Sequence, residues 1–237
     1  MHKKLIWLIV ATSFMACNAN KATVEADAQT DALYRLLDGN QRFVHQQAKH
    51  PDESMGRVHE IASSQHPFAV VVCCSDSRVA PEIVFDQGLG DLFVVRTAGN
   101  MLSGIEIGSI EYAVTHLQAS LVFVMGHENC GAVKAFIEGG DIPGHIKEIV
   151  DSIGREDEVR KIALNDAHRL EHVVNANALH ACRQLIRQSP LLQNVFAENK
   201  LTVVAGVYGL QNGKVTLLGI EDEKMDYPLT QTNRVAH

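Results

Sequence analysis

Apolar residues recur along this chain in two rhythms. Short runs rich in β-branched residues occupy Phe68 to Cys73, Leu92 to Arg96, Leu121 to Met125, Leu201 to Tyr208 and Lys214 to Leu218. Runs of that length, bounded by turn residues, read as strands. Between them the apolar positions space out to helical intervals. Asp31 is placed as an N-cap, and Leu33, Leu36, Leu37, Asn40, Phe43 and Val44 follow on one helical face. A second, more polar helix is predicted over Ser54 to Ser64. Pro81 opens a short helix, where its missing N–H costs nothing. Ile105 to His116 reads as an amphipathic helix, and Cys130 to Glu138 as another that stops at Gly139-Gly140. From Ile146 to about Arg187 the pattern is helical throughout, predicted as two helices broken near Gly154. Gln211-Asn212-Gly213 is a hairpin-like turn joining the last two strands. Strands alternating with helices predict an α/β fold: a mostly parallel central sheet of four strands plus an antiparallel edge strand, flanked by helices.

Composition narrows the classes. The chain has 237 residues, 46% hydrophobic and 21% charged, an ordinary globular balance. Its net charge is −7 with no basic run, so nucleic acid is excluded as a partner. Residues 1–17 follow a different logic. Lys3 and Lys4 precede an apolar stretch of 12 residues, Leu5 to Ala16, too short to span a bilayer and fitted to a signal peptide. Phe14-Met15-Ala16-Cys17 is similar to a bacterial lipobox, whose cysteine is lipidated. Cleavage near Ala19 and an uncleaved anchor are the alternatives; all three export the protein. Removing Lys3 and Lys4 takes the net charge from −7 to −9. The expected organisation is a leader over 1–17, a small polar tether over 18–30, and one catalytic domain over 31–237. The expected location is the periplasm, with the membrane touched only through a lipid on Cys17.

Chemistry concentrates where two strands end. Val70-Val71-Val72-Cys73-Cys74 runs into Ser75-Asp76-Ser77-Arg78, and Leu121-Val122-Phe123-Val124-Met125 runs into Gly126-His127-Glu128-Asn129-Cys130-Gly131. The C-terminal ends of strands in an open α/β sheet are where ligands bind. Two thiols and an imidazole make a Cys2His set, a catalytic zinc type with its fourth position open. A lone His-x-x-Cys is a weak signal; with Cys74 and the Asp76-x-Arg78 pair it becomes specific. On these motifs the chain closely resembles a β-class carbonic anhydrase, whose Cys-x-Asp-x-Arg stands here as Cys74 to Arg78 and whose His-x-x-Cys-Gly stands as His127 to Gly131. The resemblance runs from about Ala32 to about Gly219.

That resemblance implies one Zn²⁺ per chain, held by Cys74, His127 and Cys130, with water as fourth ligand. Zinc ionises the thiols and lowers the water's pKa to about 7, giving a hydroxide that attacks CO2 and leaves bicarbonate. Asp76 would orient the hydroxide, and Arg78 would hold Asp76 off the metal. Gln65 matches a glutamine that bonds the substrate, and Gly131 a residue whose backbone N–H faces a substrate oxygen. Phe93 and Tyr112 match walls of the CO2 pocket, and Ala98 stands where valine is commoner, leaving slightly more room. Without the family, Phe93 and Tyr112 read as core residues. The opening helices imply a homodimer or a dimer of dimers. An allosteric subgroup carries a Trp where Val71 stands; the sole Trp here is Trp7, which implies the open, non-allosteric type. A relative hydrolysing CS2 or COS, or an envelope zinc-binding or thiol-redox protein that is not an enzyme, would share part of these motifs. Cys73 is expected to face away from Cys74, Cys182 to be buried, and His168 and His172 to lie on a surface.

Overall fold

The computed structural model describes residues 29–219. The leader, the lipobox with Cys17 and nearly all of the tether lie outside the described residues. Five strands form one sheet in the order β2-β1-β3-β4-β5. They are β1 (Ala69–Cys74), β2 (Leu92–Thr97), β3 (Leu121–His127), β4 (Thr202–Tyr208) and β5 (Val215–Leu217). The first four are parallel and β5 runs antiparallel to β4. Every residue of β1 and of β3 is buried. That is why these strands read as unbroken apolar runs: a parallel strand is covered on both faces.

Side-chain alternation sorts the strands into two cores. Val70, Val72, Val122, Val124, Val203 and Ala205 meet one layer of helices. Those helices are α4 (Gly104–Thr115), α8 (Arg169–Gln188) and α9 (Pro190–Ala197). Ala69, Val71, Cys73, Leu121, Phe123 and Met125 face the other side. There they meet α1, a helix over residues 29–44, and the stretch around α3 (Pro81–Val84). Asn40, on the apolar face of α1, is buried because all its bonds are made. Its amide donates to Val84 O and Gly213 O, and its Oδ1 accepts from Val215 N.

Three boundaries differ from the sequence pattern. Asp31 lies inside α1, which is tied down earlier: Gln29 donates to Asn199 O and accepts from Thr202 Oγ1. Gly154 does not break a helix; it lies within α6 (Ile146–Arg155). A Cβ there would come within 3.0 Å of the Phe136 ring, so this glycine serves close packing. The helical stretch breaks twice instead: at Glu156, which is extended (φ −69°, ψ 123°) and followed by α7 (Asp157–Arg160), and over 161–168, which are turns and irregular chain before α8. Finally, α9 follows α8 after one extended residue, Ser189, whose side chain caps it through Leu192 N while Pro190 takes the first position. The remaining helices, α2 (Met55–Ile61) and α5 (Gly131–Glu138), fall where expected.

Candidate metal centre

The end of β1 delivers Cys74 and the end of β3 delivers His127. Cys130 follows as the N-cap of α5. Asn129 between them takes φ 54°, a left-handed conformation that asparagine tolerates, and this turns the chain back on itself. The two Sγ atoms and an imidazole nitrogen all lie within 4.8 Å of one another. All three residues are buried.

The imidazole is already oriented. His127 Nδ1 lies 2.8 Å from Glu128 O. A carbonyl only accepts, so Nδ1 carries the proton and Nε2 presents a lone pair. That Nε2 is buried without a hydrogen-bond partner among the described residues, an arrangement that costs about 1–3 kcal/mol unless something else binds it. Between the sulfurs the proton balance favours Cys74 as the thiolate. A hydrogen bond from Cys130 above all, with one from the Gly99 N–H, pulls the Cys74 thiol down from its ordinary value against its burial. The neighbouring Cys74 and burial push Cys130 up. A divalent cation bound by these atoms would ionise both.

Asp76 borders the cluster, with Oδ2 3.9 Å from His127 Nε2. Arg78 grips it in a fork, Nε to Oδ1 at 2.9 Å and Nη2 to Oδ2 at 2.7 Å, while Arg78 N–H also donates to Oδ1. Those bonds hold the Asp76 carboxyl well below the usual carboxylate range. Gly131 opens α5, where its N–H has no intrahelical partner. A Cβ on Gly131 would meet no atom within 4 Å, so the space before it is open. Ala98 begins the 3₁₀ turn Ala98–Asn100, beside the Gly99 whose N–H donates to Cys74 Sγ at 3.2 Å.

Three expected pocket residues are not brought to this cluster within one chain. Phe93 pairs with Val70, four residues before Cys74, which sets it roughly 13 Å back along the sheet. Tyr112 lies eight residues into α4, about 12 Å along its axis and away from the strand ends. It is 46% exposed and stacks on His116. Gln65 is exposed and precedes the start of β1.

Two contributors were not anticipated. Arg96, at the end of β2, donates from Nε to Cys74 O (3.2 Å) and from Nη2 to Asp76 O (2.8 Å), so it fixes the backbone of the Asp76 loop. A cation closing an otherwise apolar strand was the available signal. The second, Asn177, left none. The remaining candidates lie elsewhere. Cys73 faces the opposite core and burial pushes it up to about 12, as it does the fully buried Cys182. His168 and His172 are exposed, and His172 pairs with Asp166 at 2.5 Å.

Comparison with known proteins agrees with this geometry. A family model described as carbonic anhydrase matches residues 69–215. Carbonic anhydrase 2 of Mycobacterium tuberculosis is 39% identical over 192 residues, covering 77% of this chain and 89% of that protein. A carbonic anhydrase of Mycolicibacterium smegmatis is 41% identical over 192 residues with the same coverage. Among solved structures, the Coccomyxa β-carbonic anhydrase in complex with acetazolamide superimposes with a TM-score of 0.61 at 26% identity, covering 78% of this chain and 86% of that one.

Proposed function

This chain belongs to the carbonic anhydrase family, in its β class, and is an enzyme of CO2 hydration; we propose that it works with one Zn²⁺ held by Cys74 Sγ, His127 Nε2 and Cys130 Sγ. The observation that carries the zinc assignment is the buried, partnerless Nε2 of His127 beside two thiols. That donor set suits a catalytic zinc with one position left open. Bound there, zinc supplies a Lewis acid and a water acidic enough to give hydroxide near neutral pH.

The protein's own groups do the rest. Asp76, kept ionised by Arg78, would accept a hydrogen bond from the water that zinc activates and so hold it oriented toward CO2. Arg78 occupies both Asp76 oxygens, which keeps the carboxylate from closing the site near neutral pH, as in the non-allosteric type. Gly131 N–H donates to the oxygen that gains charge as bicarbonate forms. Ala98 borders the pocket on the side of β2. We further propose a homodimer in which Gln65, Phe93 and Tyr112 serve the partner's cluster, since none of them reaches its own. Lys3, Lys4, the apolar Leu5 to Ala16 stretch and Cys17 support export to the periplasm with a lipid anchor on Cys17. In that case Cys17→Ser moves the protein from the membrane fraction to the soluble one; equal partition of both forms would end this part of the reading.

Metal analysis tests the ligand set. The wild type is expected to carry about one zinc per chain, and folded Cys130→Ser almost none. Full zinc in that variant would remove Cys130 from the ligand set.

A further inference from the structure

Cys74 Sγ receives a backbone hydrogen bond whose donor is itself held from far along the chain. Gly99 N–H donates to Cys74 Sγ at 3.2 Å. The other end of the same glycine, its carbonyl, accepts from Asn177 Nδ2 at 2.8 Å, across 78 residues of sequence. Asn177 is 2% exposed, in the middle of α8 among Val173, Val174, Ala178 and Ala181. A buried amide among apolar residues is costly without a partner.

Gly99 is conformationally dependent on that grip. Its φ is 68°, and a Cβ there would lie 3.0 Å from Ala132 Cβ on α5. Glycine enters this region freely, but for the same reason nothing in its side chain holds it there. The fold also brings α8 unusually near. At Gly126, just before His127, a Cβ would stand 3.3 Å from Val174 Cγ1 and 3.5 Å from Ala178 Cβ. The small residue at the end of β3 thus lets α8 pack closely enough for Asn177 to reach Gly99. A second amide from α8, Gln184 Nε2, donates to Leu102 O at 3.2 Å and pins the far end of the same segment.

We propose that Asn177 is a positioning residue for the metal centre: by clamping the Gly99 carbonyl it aims the Gly99 N–H at Cys74 Sγ and so sets the electron donation of that sulfur to the bound metal. Outer hydrogen bonds of this kind tune ligand strength and metal affinity. The inference rests on the zinc assignment of the Cys74–His127–Cys130 cluster. The relay differs from a general loop anchor in one respect: Asn177 bonds the same residue whose N–H touches sulfur, through the carbonyl of its next peptide, whereas Gln184 bonds Leu102.

The test compares wild type, Asn177→Leu and Gln184→Leu, each loaded with cobalt(II) or zinc. A hydrogen bond to a thiolate stabilises its lone pairs, so losing it moves the sulfur-to-cobalt charge-transfer band to longer wavelength. Asn177→Leu is expected to show that shift and to bind zinc about tenfold more weakly in chelator competition. Gln184→Leu should keep the wild-type band. Equal shifts in both variants, or none in folded Asn177→Leu, would overturn the relay. Should Asn177→Leu fail to fold, nitrogen-15-labelled wild type and the smaller Asn177→Ala, both loaded with cadmium-113, decide: the Gly99 amide proton is expected to couple to cadmium through sulfur in wild type and to lose that coupling in the variant, and coupling that is equal in both or absent from wild type would overturn the relay. Wild type that takes up no metal would instead defeat the zinc assignment itself.

Discussion

At the scale of single residues, the chemistry depends on groups held by their neighbours. In the proposed reading Arg78 contributes through Asp76: removing its fork would free a carboxylate 3.9 Å from His127 Nε2 to approach a metal bound there. Arg78→Gln is expected to lower CO2 hydration near neutral pH by about a hundredfold with zinc content unchanged, a magnitude typical of losing one preorganised polar group. Activity equal to wild type would mean that Asp76 needs no restraint. Gly99 is a second sensitive position. Gly99→Ala forces a Cβ to 3.0 Å from Ala132 at φ 68°, and denaturant unfolding should show a loss of about 1–2 kcal/mol or more. The Cys74–His127–Cys130 cluster and the Asp76–Arg78 pair were legible because they stand at, or within a few residues of, the ends of two apolar runs. Asn177 was not, because in sequence it is one more polar residue in a helix and its role exists only through a contact 78 residues away.

At the scale of elements, the junction between α6 and α7 carries a consequence for pH. Glu156 is 3% exposed and neither carboxyl oxygen has a hydrogen-bond partner. It faces the charges of Glu158 and Arg183, and Glu158 is itself paired with Arg183 and His180. Burial first, then Glu158, pushes Glu156 up to about 8 from an ordinary 4.5. Between those values the folded chain keeps a proton that the unfolded chain has released, so stability falls as pH rises through that window. Thermal melts from about pH 6 to about pH 8 should show wild type losing up to roughly 1.4 kcal/mol per pH unit relative to Glu156→Gln. Parallel behaviour of the two proteins would contradict the raised value. The carboxyls pushed downward, at Asp86 and Glu106, titrate below this window and leave it undisturbed. Sequence reading placed the break at Gly154, where packing against Phe136 was the real demand on the glycine, and it passed over the Ser189-Pro190 start of α9. Both are tertiary or capping effects that periodicity alone does not register.

At the scale of the whole molecule, the parallel sheet was plain in the alternation of strands and helices, and it puts the Cys74–His127–Cys130 cluster at one end. Phe93, Tyr112 and Gln65 were assigned to the pocket by likeness, which does not say which copy of the chain supplies them. The strand register sets Phe93 level with Val70, not with its own Cys74, which is why the proposed dimer is asked to supply these residues from the partner. A mixing experiment follows. Cys130→Ser and Tyr112→Ala homodimers should each be impaired, and co-expressed chains should regain activity, because each mixed dimer then holds one site with intact ligands and an intact tyrosine. Failure to regain activity in verified mixed dimers would place Tyr112 with its own chain or outside the pocket. The central claim, a zinc-dependent carbonic anhydrase, is tested most directly by stopped-flow CO2 hydration on protein of known zinc content, as purified, after chelation and after zinc is restored. Rapid hydration that disappears with the metal and returns with it is the result predicted. Protein carrying about one zinc per chain that hydrates no CO2 between about pH 6 and about pH 9, a range spanning the acidity expected of a zinc-bound water, would contradict it.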